Sequence, residues 1–189
     1  DTLGDMTTAG VMALGFYFIN IDKIKYLFPV IFIGAFNELQ IILLILFYMF
    51  GKKGNFKDKK VWLNAVLLTV TFVIVYIIIY LLRGGRAGND DVVWYFTKDA
   101  VYNISNPNFI ILWAVMILPL LYCAVKNLKL KPDFLRRNLL TVLPAFYIFA
   151  IFFIARMREI DKALTIFLIL IPLALITLFP SLTKQTTET

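Results

Sequence analysis

An acidic side chain lies in the middle of a long apolar stretch. Residues 26–50 hold Glu38 near their centre, with Asn37 before it and Gln40 two positions after it. At the centre of a membrane-spanning helix an ionised carboxylate costs about 2.5–3.5 kcal/mol on insertion scales, so it must face a protein interior or a partner. Gly34 lies one helical turn before Glu38 and leaves room for a close neighbour. Two interpretations stay open: a site for a substrate, ion or proton, and an interhelical hydrogen bond that holds the helices together.

Two pairs of arginines could bind an anion. Arg83 and Arg86 lie among glycines, where backbone amides can approach a phosphate and guanidinium groups can donate paired hydrogen bonds. Arg156 and Arg158 belong to a charged turn, residues 156–162, between two apolar stretches. The alternative is that these arginines only anchor helix ends at the lipid headgroups. The sequence therefore nominates both pairs, with Asn37, Glu38 and Gln40, as substrate-binding candidates.

The residue types that are missing exclude several kinds of chemistry. The chain has no histidine and one cysteine, Cys123, which lies in an apolar stretch. This removes histidine-based metal sites, Ser-His and Cys-His catalytic pairs, and an intramolecular disulfide. We predict no metal and no cofactor. The net charge of +7 comes from lysines and arginines in short gaps between apolar stretches, which favours contacts with lipid headgroups over nucleic-acid binding.

The composition predicts an all-α integral membrane protein. Of the 189 residues 61% are hydrophobic and 16% are charged, and the mean hydropathy is +0.83. Globular domains are about 45–50% apolar and about 25% charged. A helix needs about 20 apolar residues to cross a hydrocarbon core of about 30 Å. Six stretches are assigned as spans of a polytopic helical bundle covering residues 1–180: 6–19, 26–50, 61–82, 108–125, 139–155 and 163–179.

The stretch 26–50 allows two structures. One is a continuous helix with a polar centre, and the other is two short pieces, the first ending at Asn37 and the second starting at Leu39. Neither short piece would span a bilayer alone. We therefore predict the continuous helix.

The loops predict an orientation. The most lysine-rich and arginine-rich connections, 51–60 and 126–138, fall on one side under strict alternation, which places both termini in the cytoplasm. The longest connection, 83–107, then faces outward, and its residues 91–104 are predicted to form a short interfacial helix. The polar tail 181–189 lies outside the bundle. The predicted location is the inner membrane of a bacterium.

Several short motifs come in an order that is typical of one family. They are Asn37-Glu38-Leu39 within an apolar helix, the aromatic loop after Arg83, the basic linker Pro132–Arg137, and Arg158-Glu159 before a proline-bearing span. In this order, over residues 1–180, the chain resembles the carboxy-terminal membrane half of GT-C-type glycosyltransferases and related bacterial polytopic proteins. The resemblance implies a protein that handles a sugar linked to a polyprenyl phosphate on the extracytoplasmic side.

The resemblance carries over no catalytic residue. The family's last turn reads Glu-x-Arg, whereas this chain has Glu159-Ile160-Asp161, and the family's catalytic acid in an early outer loop has no match here. The chain begins at Asp1, and we expect it to be the later part of a longer protein, inactive when isolated. The alternatives are a noncatalytic subunit that packs against other membrane subunits, and a small transporter that uses Glu38.

Overall fold

The computed structural model describes residues 2–37, 39–51, 57–82, 100–144 and 164–179. Within these ranges the regular structure is helical, without a strand, in agreement with the predicted all-α class. Contacts divide the chain into two compact units, Asp1–Asp91 and Val92–Thr189, which are described separately below. A single domain over residues 1–180 therefore stays a prediction.

Seven helices of eight residues or more give the chain its framework in the described ranges. In the first unit they are α1 (Thr2–Asn20), α2 (Leu27–Asn37), α3 (Leu43–Phe50) and α4 (Lys59–Leu82), with 3₁₀ turns at Ile24–Tyr26 and Leu39–Ile42. In the second unit they are α5 (Pro107–Val125), α6 (Asp133–Leu140) and α7 (Leu164–Leu178), with a 3₁₀ turn at Leu128–Leu130. Residues 100–105 are also helical.

Two predicted spans, 61–82 and 108–125, coincide with α4 and α5. Among the described helices these two are long and apolar enough to cross a membrane. Only 22% of the most apolar 18-residue stretch of α4 and 11% of that of α5 are buried. Apolar helices of soluble proteins are instead buried in the core. The helix α1, with 19 residues, extends past the predicted stretch 6–19 at both ends, and α7, with 15 residues, is shorter than the predicted 163–179.

The predicted continuous helix over 26–50 is wrong, because the chain reverses direction between α2 and α3. A Cβ atom on Gly34 would lie 3.0 Å from the side chain of Ile41. Residues seven apart in one straight helix are separated by about 10.5 Å along the axis, so this proximity requires a turn. The same Cβ would lie 2.7 Å from Val11 of α1, which confirms that Gly34 has a close neighbour.

Contacts with α1 fix the direction of both pieces. Thr8 bonds to Asn37 and Val11 lies against Gly34, so α2 runs antiparallel to α1. Further along α1, the side chain of Leu44 fills the space beside Gly15, and the rings of Phe16 and Phe47 meet edge to face at 4.8 Å. The helix α3 therefore runs parallel to α1. Together α2, the turn Leu39–Ile42 and α3 form what we call the helical hairpin.

The helical hairpin packs against the first part of α4. Both α2 and α3 contact this helix, and residues from Ile42 to Met49 share a groove with residues from Trp62 to Val70. The last buried residue of α4 is Val75. From there to Leu82 the side chains are exposed or half-exposed. The hairpin thus covers only part of the length of the long helix.

In the second unit the linker 126–138, predicted as a loop, contains a helix. The helix α6 starts after Pro132, and Asp133 in its first turn forms ion pairs with Arg136 and Arg137. Acidic residues are favourable at that end because of the helix dipole. Both α5 and α6 pack against α7. The predicted span 139–155 begins inside α6, which ends at Leu140. Its residues 145–155 lie outside the described residues. The same holds for residues 91–99 of the predicted interfacial helix and for the tail 181–189.

Candidate functional site

The turn of the helical hairpin carries the polar residues that the sequence singles out. Asn37 ends α2 and Gln40 lies in the following 3₁₀ turn, so the structure places two of the seven candidates at one tip. Asn37 Nδ2 donates a hydrogen bond of 2.6 Å to Thr8 Oγ1, and Thr8 is buried. Glu38, between them in the sequence, lies outside the described residues.

The interhelical hydrogen bond of Asn37 supports the structural interpretation of the polar centre. A hydrogen bond from an amide to a hydroxyl between two apolar helices gives each group a partner and sets the register of α1 against α2. Thr8 was not singled out in the sequence. Its signal in the sequence is weak, because threonines near the start of a helix, here Thr7 and Thr8, are common.

Apolar side chains next to the hairpin tip are exposed. They belong to Ile33 and Phe36 of α2, and Asn37, which bonds to Thr8, is exposed as well. A ligand that approaches the polar atoms of the tip along α2 therefore passes over an apolar surface. Such an arrangement suits a molecule that is apolar along its length and polar at one end.

The four arginine candidates cannot be assigned to this tip. Arg83, Arg86, Arg156 and Arg158 all lie outside the described residues. Their predicted role in binding a phosphate stays a prediction. In the described parts of the chain, no group of three or more Cys, Asp or Glu side chains could hold a metal ion.

A second polar centre, which the sequence did not indicate, is built around Lys131. This residue is only 4% exposed. Its Nζ atom donates hydrogen bonds to the carbonyl oxygens of Cys123 at 2.6 Å, Ala124 at 2.7 Å and Leu173 at 2.8 Å. The first two belong to the last turn of α5 and the third belongs to α7. One ammonium group therefore connects the two helices.

The chemistry of this centre follows from the end of α5. The last carbonyls of a helix have no partner within it, and an ammonium has three N–H donors and no acceptor. Lys131 thus places all its donors on carbonyls and contributes a positive charge where the helix dipole is negative. Thr177 of α7 adds a hydrogen bond of 2.7 Å from its hydroxyl to the Cys123 carbonyl.

Burial lowers the pKa of Lys131 below its ordinary value of 10.5, and an electrostatic interaction with Cys123 opposes this shift. Lys131 belongs to the basic linker 126–138, whose positive charges predict the orientation of the chain, and the structure shows that its side chain is buried within the protein. Nothing in the sequence separates it from its exposed neighbour Lys129. The difference comes from the 3₁₀ turn, which directs Lys131 back towards α5 and α7.

Comparison with known proteins adds no family to this picture. No protein-family model, curated protein or solved structure matches the chain.

Proposed function

We propose that this chain is the membrane-embedded part of a glycosyltransferase-like protein, and that the tip of its helical hairpin contacts the polar end of a lipid-linked sugar. The observation that carries the proposal is a polar tip, held by Asn37 and Gln40, beside the exposed apolar surface of α2. A lipid-linked sugar has an apolar chain and a polar head, so its chain can stay among lipid tails while its head reaches the tip.

Membrane embedding is supported by the chemistry of α4. Many of its apolar side chains are exposed, and three of its polar side chains are bonded within the protein. Asn64 donates to the Tyr48 hydroxyl at 3.1 Å, and the hydroxyls of Thr69 and Thr71 donate to carbonyls four residues earlier. In hydrocarbon an unpaired polar group costs several kcal/mol, so internal pairing is the arrangement expected of a lipid-facing helix. Because the helical hairpin enters and leaves the membrane on one side, it replaces one of the six predicted spans, and five spans cross the membrane in the proposed topology. The basic connections 51–60 and 126–138 then lie in the cytoplasm with the carboxy terminus, and the amino terminus lies on the opposite side.

The depth of the hairpin supports a site within the membrane. The piece α2 has 11 residues and α3 has 8, so at 1.5 Å per residue each is about half as long as a bilayer core is thick. A hairpin of this length, entering and leaving on the same side, brings its tip near mid-membrane. Non-helical backbone at that depth is tolerated where it contacts protein or lines a polar cavity.

A small transporter is the second candidate, favoured by the helix break itself. In many transporters the substrate site is formed at breaks in helices near the bilayer midplane. The two candidates differ in the requirement for an aqueous path. A transporter catalyses uptake into sealed liposomes, whereas the lipid-linked substrate binds without any transmembrane flux.

The test measures binding of a polyprenyl-phosphate sugar to the chain in nanodiscs, because the sugar hydroxyls can donate hydrogen bonds to the Glu38 carboxylate. We expect Asn37→Ala and Glu38→Ala each to weaken binding about tenfold, the loss of one charge-assisted hydrogen bond. Lys57→Ala, at an exposed position, leaves binding unchanged. Thr8→Val is the matched control, because it breaks the same interhelical bond but leaves the Asn37 amide in place. If Thr8→Val weakens binding as much as Asn37→Ala, then Asn37 has only a structural role. If Asn37 has only a structural role and Glu38→Ala leaves binding unchanged, the hairpin tip is not the binding site.

A further inference from the structure

The last turns of α5 present an apolar surface that ends at a positive charge. Leu118, Leu121, Tyr122 and Val125 line a groove whose end is Lys126. Tyr122 is 69% exposed, and Leu118 and Val125 are exposed as well. We call this the α5 groove. Its exposed side chains indicate contact with an apolar medium along the groove and with a polar medium at its end.

The positive charge at the end of the α5 groove is not isolated. Lys126 and Lys129 are exposed and form no ion pair with any described residue. Arg136 lies close to them, because its Nη1 atom donates to the Lys129 carbonyl at 3.4 Å. The acid in this segment, Asp133, is already paired with Arg136 and Arg137. The segment therefore keeps an excess of positive charge.

The apolar side chain of Leu130 adds a second indication of a membrane surface. It is 76% exposed and lies between Lys129 and the buried Lys131. An exposed leucine next to exposed lysines is the pattern of a segment at the boundary between headgroups and acyl chains. Lysine can also extend its apolar stem along lipid while its ammonium reaches the phosphate level.

We infer that the α5 groove binds an anionic phospholipid, with one acyl chain along the groove and the phosphate at Lys126 and Lys129. A free phosphate ion would meet the lysines but would leave the groove empty, whereas a zwitterionic lipid would gain little from the excess charge. The inference rests on the proposed membrane location. It is independent of the hairpin tip, which belongs to the other compact unit.

Native mass spectrometry of the chain in detergent micelles measures this binding directly. The probes are phosphatidylglycerol and phosphatidylcholine of the same acyl length, added in equal amounts. We expect one phosphatidylglycerol molecule to be retained in preference to phosphatidylcholine. A basic residue near an anionic lipid surface contributes about fivefold to binding, so Lys126→Gln with Lys129→Gln lowers the preference roughly 30-fold.

Three further variants make the result specific. Lys59→Gln with Lys60→Gln removes two exposed lysines at the start of α4 and leaves the preference unchanged. Leu121→Trp fills the groove and reduces retention of both lipids while the chain keeps its helical circular dichroism. Asn37→Ala leaves phosphatidylglycerol retention intact, so failure of the hairpin proposal and failure of this one are distinguishable.

Two results overturn the inference. In the first, the Lys126 and Lys129 double variant keeps the phosphatidylglycerol preference, or the Lys59 and Lys60 control loses it equally. In the second, less polyprenyl phosphate than unlabelled phosphatidylglycerol is needed to displace bound phosphatidylglycerol from the α5 groove. That result would assign the groove to the lipid-linked substrate.

Discussion

Replacing Lys131 by methionine tests the connection between α5 and α7. Methionine keeps an unbranched side chain of similar length but removes the ammonium, so three hydrogen bonds to carbonyls are lost. The Cys123 carbonyl keeps the Thr177 hydroxyl at 2.7 Å. That hydroxyl has a single proton and cannot serve the Leu173 carbonyl as well, but Leu173 lies four residues before Thr177 within α7, so its carbonyl keeps the backbone bond of the helix. The carbonyl of Ala124, in the last turn of α5, is the one that loses its donor without such a replacement.

The expected magnitude follows from that single uncompensated carbonyl. Leaving a buried acceptor without a donor costs about 1–3 kcal/mol. Removing a buried ammonium recovers part of this cost, because methionine requires no desolvation of a charge. We therefore expect Lys131→Met to lower the free energy of unfolding by about 1–2 kcal/mol, from the difference between these two terms.

The assay is reversible unfolding in mixed micelles, followed by tryptophan fluorescence. Trp113 is buried in α5 and reports on the second unit. Lys129→Met is the matched control, since it removes an exposed lysine two positions earlier and should change stability by less than about 0.5 kcal/mol. The reasoning fails if Lys131→Met is as stable as the wild type, or if the two lysine variants lose the same amount.

Three other outcomes are expected. The difference in unfolding free energy between the wild type and Lys131→Met should grow as the pH rises towards 10.5. Burial lowers the pKa of Lys131 in the folded form, so in this pH interval the unfolded form holds more protons and the folded form gains stability. A difference that shrinks over this range would mean that the hydrogen bonds to the carbonyls outweigh the effect of burial. Gly34→Ala should lower the free energy of unfolding by about 1–3 kcal/mol, because the added Cβ would lie 2.7 Å from a methyl group of Val11. Gly10→Ala is the control and should not lower it, because no atom lies within 4 Å of the added Cβ. Equal effects of the two variants in unfolding titrations would show that packing at Gly34 is unimportant. Single cysteines at Lys57 and Lys129 should react with a membrane-impermeant maleimide from the cytoplasmic side only, and labelling of either from outside would refute the proposed topology.

The long helices could be predicted from the sequence because one property decides them. Apolar stretches without an interruption, such as 61–82, form a helix in either unit whatever their neighbours are, since the backbone must bond internally. The helical hairpin could not be predicted in the same way. Continuous and broken forms of 26–50 have the same composition, and the break depends on how Gly34 fits against α1 and against Ile41.

The polar centres show a similar division. Asn37 and Gln40 stand out in the sequence because polar residues are rare within apolar stretches. Lys131 does not stand out, because it lies among other lysines in a polar linker. Its burial depends on three carbonyls contributed by two helices, and one of these, the carbonyl of Leu173, lies 42 residues further along the chain than Lys131. Such long-range convergence leaves no local pattern in the chain.

The most direct test of membrane embedding is the accessibility of a spin label on the exposed surface of α4. Val70 lies near the middle of this helix and is exposed in the structure. With the chain reconstituted in liposomes, a label at this position should collide with oxygen, which concentrates in lipid, far more often than with a water-soluble nickel chelate. Equal or greater accessibility to the nickel chelate would place α4 in water and contradict the account.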